Sequence, residues 1–143
     1  MQQKADQAVA GWSCPSSAEC CQLGTTGKLP HLFASEWRLL LVELSRQQRP
    51  LPAPRADGGC PFLDSTGKRC SVYGARPVAC RTFFCHRGSG PRAVDRSSID
   101  GLFERLHAAH LTRDDDVVPR SLPEWYERER GLTSAGTRSL SGT

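Results

Sequence analysis

Seven cysteines constrain the fold of this chain more than any other feature of its sequence. They are Cys14, Cys20, Cys21, Cys60, Cys70, Cys80 and Cys85. Steps of ten, ten and five residues separate the last four, and an odd total cannot be fully paired in disulfides within one chain. Such thiols serve as a disulfide framework, as metal ligands or as small buried apolar groups. Which of these roles they take decides most of the function.

The apolar composition indicates a small domain that needs an additional staple. A chain of 143 residues has the usual size of one domain. Leu, Ile, Val and Phe supply 28 of the 143 residues, just under the one-fifth at which chains begin to look disordered, although the net charge of +4 is too small for a disordered polyelectrolyte. We therefore expect one domain over residues 1–131, stapled by disulfides or by a metal, and a flexible tail over residues 132–143.

The N-terminal sequence argues against secretion. The first twelve residues, MQQKADQAVAGW, contain no apolar run of signal-peptide length, and no stretch of the chain has the length needed to span a bilayer. We expect a cytoplasmic protein, in which persistent cysteines are more often ligands or catalysts than disulfides. The chain lacks a basic stripe interleaved with aromatic residues, so its expected partners are a metal ion and a protein rather than nucleic acid or membrane.

Periodicity predicts a helix and a hairpin in the first half of the chain. The segment SEWRLLLVELSRQQ places Trp37, Leu40, Leu41 and Leu44 on one helical face, and Ser35 is its expected N-cap. A turn-prone tetrad at 64–67 separates two short arms, which predicts a hairpin that places Cys60 and Cys70 at neighbouring points.

Three further helices are predicted in the second half. Pro77 suits the first turn of a short helix over about residues 78–84, and Ser97 or Ser98 opens another. Ser121 and Glu124 have capping-box spacing, and Gly131 is the expected end of a terminal helix. The predicted class is α+β: a small metal-stabilised domain with short helices, a hairpin and long loops around a cysteine cluster.

The chemistry of sulfur narrows the choice of metal. A set of thiolates selects zinc or an iron-sulfur centre over magnesium, calcium or manganese. Four thiolates close a tetrahedral zinc site or hold a [4Fe-4S] cluster. The spacing in this chain matches neither the paired CxxC knuckles of a zinc ribbon nor a ferredoxin run. The cysteines therefore indicate a metal and leave zinc and iron open.

Several segments together resemble one family. CPSSAECC at 14–21 is similar to the CxxCxxCC signature of the YkgJ-like cysteine-cluster proteins, with Ser17 in place of one cysteine. CPFLD, GKRCSVY, ARPVACR and FFC resemble the rest of that signature, so the likeness covers about residues 14–86. It implies chelation of zinc or iron by the cysteines.

The resemblance leaves the role of the metal open. Flagellin lysine methylases carry a similar cluster, so a redox or accessory module of an enzyme system is one alternative. A structural zinc domain that docks a protein partner is another. The sequence contains no phosphate loop, nucleophile elbow or Ser/His/Asp order, so no catalytic residue is predicted and an enzyme is the less favoured class.

Ser17 leaves seven thiols where eight would fill two sites of four. We expect most ligands to come from Cys60, Cys70, Cys80 and Cys85, joined by one or both of Cys20 and Cys21. His86 follows the last cysteine and is a candidate eighth ligand, although a solvated histidine is the simpler interpretation. Arg76 and Arg81 flank Cys80, either as cations that lower thiol pKa or as donors to loop carbonyls.

Overall fold

The fold consists of short helices, one two-stranded sheet and long connecting loops, which confirms the α+β class. The computed structural model describes residue 3 and residues 21–27, 29–81, 100–102, 104, 105, 108 and 118–140. Its named helices are α1 (Leu23–Thr26), α2 (Ala34–Arg46), α3 (Val78–Arg81) and α4 (Leu122–Leu140), with a 3-10 turn at Tyr73–Ala75. Its strands are β1 (His31–Leu32) and β2 (Arg120–Ser121). The structure also has helical conformation at residues 100–102, 104, 105 and 108, which lie within the helix predicted to begin at Ser97 or Ser98.

Helix α2 confirms the predicted apolar face and corrects the predicted cap. Trp37, Leu40 and Leu44 are buried, as their spacing requires. The helix begins one residue before Ser35, and its N-cap is Phe33. The carboxylate of Glu36 accepts a hydrogen bond from the Phe33 amide at 3.0 Å. This bond satisfies the amide of the N-cap residue itself, and Ser35 lies at the second helical position instead of at the cap, so the predicted cap was wrong.

The short sheet pairs the segment before α2 with the segment before α4. Strands β1 and β2 are antiparallel, with His31 opposite Ser121 and Leu32 opposite Arg120. Beyond the pair, the Leu122 amide donates to the Pro30 carbonyl at 2.8 Å. Because β1 leads into α2 and β2 leads into α4, this pairing sets the two longest helices side by side.

An aromatic group fills the space between these helices. Trp37 of α2 stacks on Trp125 of α4, with ring centroids 6.3 Å apart and planes 13° apart. Phe62 approaches Trp37 edge-on at 5.9 Å. The indole N–H of Trp125 donates to the Leu32 carbonyl at 2.9 Å, and the Tyr126 hydroxyl donates to the Pro52 carbonyl at 2.5 Å. The core thus includes residues from both helices and from the segment that carries Cys60.

Helix α4 has the predicted start and a later end than predicted. Glu124 accepts hydrogen bonds from the Ser121 amide at 2.8 Å and from its hydroxyl at 2.7 Å, which confirms the capping box. The helix continues through Gly131 to Leu140, so the predicted end was wrong. An interior glycine costs only about 1 kcal/mol relative to alanine, too little to end a helix by itself. The division into a domain over 1–131 and a tail over 132–143 stays a prediction.

The predicted hairpin is reduced to one bridge. Leu63 pairs with Cys70 in antiparallel geometry, and the Asp64 amide donates to the Arg69 carbonyl at 2.8 Å. The turn lies where the sequence predicts it, with Gly67 in the left-handed region at φ 69°. Leu63, rather than Cys60, lies opposite Cys70, because the chain turns between residues 60 and 63 and extends the first arm no further.

Within the described ranges, no helix combines the length and apolar character that crossing a membrane requires.

Candidate metal centre

Two cysteines that are distant in sequence meet through their backbones. The Cys60 amide donates to the Cys21 carbonyl at 2.7 Å. Nearby, a Cβ atom added to Gly24 would lie 3.5 Å from the Gly58 carbonyl oxygen, so the two loops are in contact over several residues. Gly58 has φ 71°, a conformation that favours glycine. Helix α1, which follows Cys21, therefore rests on the loop that leads into Cys60.

The turn described above places Cys70 close to this pair. The Leu63 amide donates to the Cys60 carbonyl at 3.1 Å, and Leu63 bridges to Cys70. Cys60 is buried, whereas Cys21 and Cys70 are half-buried and pack against the apolar core. Three of the predicted ligands are thus carried by backbone segments that lie side by side.

Cys80 is carried by the short helix α3, which confirms the start of the predicted helix after Pro77. The Cys80 amide donates to the Pro77 carbonyl at 3.0 Å. At the start of the helix, the Val78 amide donates to a buried carboxylate oxygen of Glu36 at 2.9 Å. This bond fixes α3 to α2, and with it the backbone of Cys80. Residues 82–84 of the predicted helix lie outside the described residues.

The two arginines around Cys80 act on loop carbonyls. Arg81 donates to the Gly74 carbonyl at 2.6 Å and to the Arg76 carbonyl at 2.8 Å. Arg76 donates to the Tyr73 carbonyl at 3.0 Å, and its guanidinium lies 3.6 Å from the centre of the Tyr73 ring. Of the two roles considered for these arginines, the structure supports the structural one, because they hold the 3-10 turn against α3.

Arg55 is a cation near the cysteines that the sequence analysis did not single out. It pairs with Asp57 at 3.0 Å, and it also donates to the Asp64 carbonyl at 3.0 Å. The hydrogen bonds to Asp57, and then the charges of Asp57 and Asp64, raise the pKa of Arg55. The Pro-rich segment around Arg55, RPLPAPRADGG at 49–59, has no hydrophobic periodicity that would place it in the fold. Only the structure shows that Arg55 lies beside the cysteine segments.

The sulfur donors in the described ranges are reduced and belong to an incomplete set. Cys21, Cys60, Cys70 and Cys80 form no disulfide. Among the described residues, no three or more Cys, His, Asp or Glu side chains form a group that could hold a metal ion. The remaining predicted cysteine ligands lie outside this part of the chain, and so does the candidate ligand His86: they are Cys14, Cys20 and Cys85. The donor chemistry suits zinc or iron, and the ligand set stays a prediction.

A small α+β fold with reduced cysteines on adjacent loops is typical of the class of metal-stabilised domains. The comparison with family models agrees with this class. The model of the CxxCxxCC family, described as "Putative zinc- or iron-chelating domain", matches residues 13–99. This match covers more than half of the chain, so the chain belongs to the CxxCxxCC family, as its sequence motifs suggest. Neither the curated proteins nor the solved structures gave a match.

Proposed function

We propose that this chain is a cytoplasmic protein that binds zinc or iron through cysteine thiolates. The observation that carries the proposal is the 2.7 Å hydrogen bond from the Cys60 amide to the Cys21 carbonyl. It joins the cysteine segments near the start and the middle of the chain. A metal shared between such segments would hold them together further, because its binding free energy adds to folding free energy.

The proposed ligands are Cys60, Cys70, Cys80 and Cys85, joined by one or both of Cys20 and Cys21. The burial of Cys60 and the partial burial of Cys70 and Cys80 support this choice, because a thiolate shielded from water gains more from a metal than an exposed one. A bound zinc would act as a structural or cargo ion without redox chemistry, and an iron-sulfur centre would carry electrons.

Metal analysis of protein purified without oxygen tests the proposal. Zinc predicts a colourless protein with stoichiometric metal, and an iron-sulfur centre predicts a brown protein with visible charge-transfer bands and a reversible potential. Compact native protein without either metal, or with its thiols paired in disulfides, would contradict metal binding.

Serine substitutions test the ligand set. Cys60→Ser, Cys70→Ser, Cys80→Ser and Cys85→Ser are each expected to lower the metal content, because a serine hydroxyl is a poor ligand at neutral pH. Ser71→Ala is a matched control, since it removes a hydrogen bond of 2.7 Å to the Phe62 carbonyl next to Cys70 without removing a thiol. Metal content that stays at the wild-type level in the Cys80→Ser and Cys85→Ser variants would refute this assignment.

A further inference from the structure

We propose that Arg55 is a positioning residue of the metal centre, whose fixed positive charge strengthens metal binding by the thiolates around Cys60. This inference rests on the proposed function and concerns how that site is tuned. It concerns a residue that ligates nothing itself, since a guanidinium offers only donors.

Arg55 is anchored on two sides. Its Nε and Nη2 atoms donate to the carboxylate of Asp57 at 3.0–3.3 Å, and its Nη1 atom donates to the Asp64 carbonyl at 3.0 Å. Only 21% of its side chain is exposed. A planar guanidinium held at both edges keeps a fixed position, unlike a solvated surface arginine.

This position lies between the segments of two predicted ligands. A Cβ atom added to Gly59, the residue before Cys60, would be 3.4 Å from the Arg55 Nε atom. A Cβ atom added to Gly67, in the turn before Cys70, would be 3.2 Å from the Arg55 Nη2 atom. The guanidinium therefore lies beside the backbone at Gly59, one residue before Cys60, and at Gly67, three residues before Cys70.

The charge of Arg55 has the sign that a thiolate site requires. Four thiolates outweigh the charge of a divalent ion, so the loaded site carries net negative charge, which a nearby cation stabilises. Asp57 opposes the effect, because its carboxylate neutralises part of the guanidinium charge while it also accepts the Gly59 amide at 2.9 Å.

Two substitutions separate charge from mere support. Arg55→Gln removes the positive charge, and Asp57→Asn removes the opposing negative charge while its amide oxygen still accepts the Gly59 amide. If Arg55 acts by charge, Arg55→Gln weakens zinc binding about ten-fold, and Asp57→Asn leaves it unchanged or tightens it. If the ion pair only supports the loop, both substitutions weaken binding alike.

The experiment measures zinc affinity of the full chain by competition with a chromophoric chelator, under anaerobic conditions and with far-UV circular dichroism as the folding check. Arg55→Lys keeps the charge and is expected to stay within a few-fold of wild type. Arg46→Gln is the matched control, because it removes an arginine paired with Glu43 at 2.7 Å on a helix without cysteines.

Unchanged affinity in Arg55→Gln, or equal weakening in Arg55→Gln and Asp57→Asn, would overturn the role of Arg55 and leave the proposed function standing. If Arg55→Gln does not fold, weaker zinc binding by Asp57→Asn is still sufficient to overturn it. A wild-type chain that binds no zinc under these conditions would instead contradict the proposed function, and with it this inference.

Discussion

The carboxylate of Glu36 accepts a hydrogen bond from the backbone amide of Val78 at 2.9 Å, across 42 residues of sequence. Its other oxygen accepts the Phe33 amide at 3.0 Å, and only 5% of Glu36 is exposed. One buried side chain therefore satisfies amides at the starts of both α2 and α3. This connection links the aromatic core to the helix that carries Cys80.

Glu36→Gln is expected to lower the free energy of unfolding by about 1–3 kcal/mol. One of the two buried backbone N–H groups would then face the side-chain NH2 group of the glutamine, which cannot accept its hydrogen bond. Urea denaturation at constant zinc concentration measures the change. Glu43→Gln is the control on the same helix, since Glu43 pairs with Arg46 near the surface, and its effect is expected to be much smaller. Equal losses in the two variants would show that the bridge to Val78 contributes nothing special.

Local signals in the sequence predict the elements that depend on neighbours along the chain. The apolar spacing of Trp37, Leu40 and Leu44 and the capping box of Ser121 and Glu124 correspond to features of the structure. The turn at residues 64–67 was also predicted, since its conformation depends on adjacent residues.

Long-range contacts could not be read from the same signals. The cap of α2 uses Glu36, whose second partner is far along the chain, so a local rule favoured Ser35. The contact between the Cys21 and Cys60 backbones and the position of Arg55 likewise depend on how the loops pack. The cysteine pattern predicts chelation of zinc or iron, but it contains no information about which cations lie beside the cysteine segments.

Trp125→Phe tests the polar anchor of the aromatic core. Phenylalanine keeps a ring beside Trp37 but leaves the Leu32 carbonyl without its indole donor, so the expected loss is about 1–2 kcal/mol. Trp125→Ala also removes the stacked ring, and a loss of about 3–5 kcal/mol is expected. Urea denaturation measures both, with Tyr73→Phe as an exposed control that should change little. A phenylalanine variant as stable as wild type would show that the hydrogen bond to the Leu32 carbonyl contributes nothing.

Gly67→Ala tests the turn before Cys70. Gly67 has φ 69°, a conformation that alanine adopts at a cost, so a loss of about 1–2 kcal/mol in the free energy of unfolding is expected from the backbone alone. An added Cβ atom would also approach the Arg55 Nη2 atom to 3.2 Å. Gly74→Ala is the control, because an added Cβ atom there meets nothing within 4 Å. Thermal unfolding of both variants at matched zinc concentration compares them. Similar melting temperatures for the two would argue against a left-handed requirement at Gly67.

Glu124→Gln tests the pH dependence of the α4 cap. The Ser121 hydroxyl, and then its amide, lower the pKa of Glu124 from its ordinary value of 4.5. A carboxyl group with a lowered folded-state pKa stabilises the fold above about pH 4.5, and this contribution is lost as pH falls through the folded-state value. The variant is therefore expected to be less stable than wild type at neutral pH, with a difference that shrinks as the pH falls below 4.5 and through the lowered pKa of Glu124. Urea midpoints over this range measure it, and a difference that stays constant would contradict the shift.

Metal removal tests whether the cysteine loops and the aromatic core are coupled. Phe62 lies two residues from Cys60 and contacts Trp37 edge-on at 5.9 Å, so loosening of the cysteine segments should reach the tryptophan environment. A chelator is expected to lower the urea midpoint, reduce far-UV helical dichroism and change the near-UV tryptophan signal. Zinc should restore all three, and magnesium should restore none, because a hard cation binds thiolates poorly. Identical near-UV spectra and midpoints with and without metal would show that the apolar core folds independently of the site.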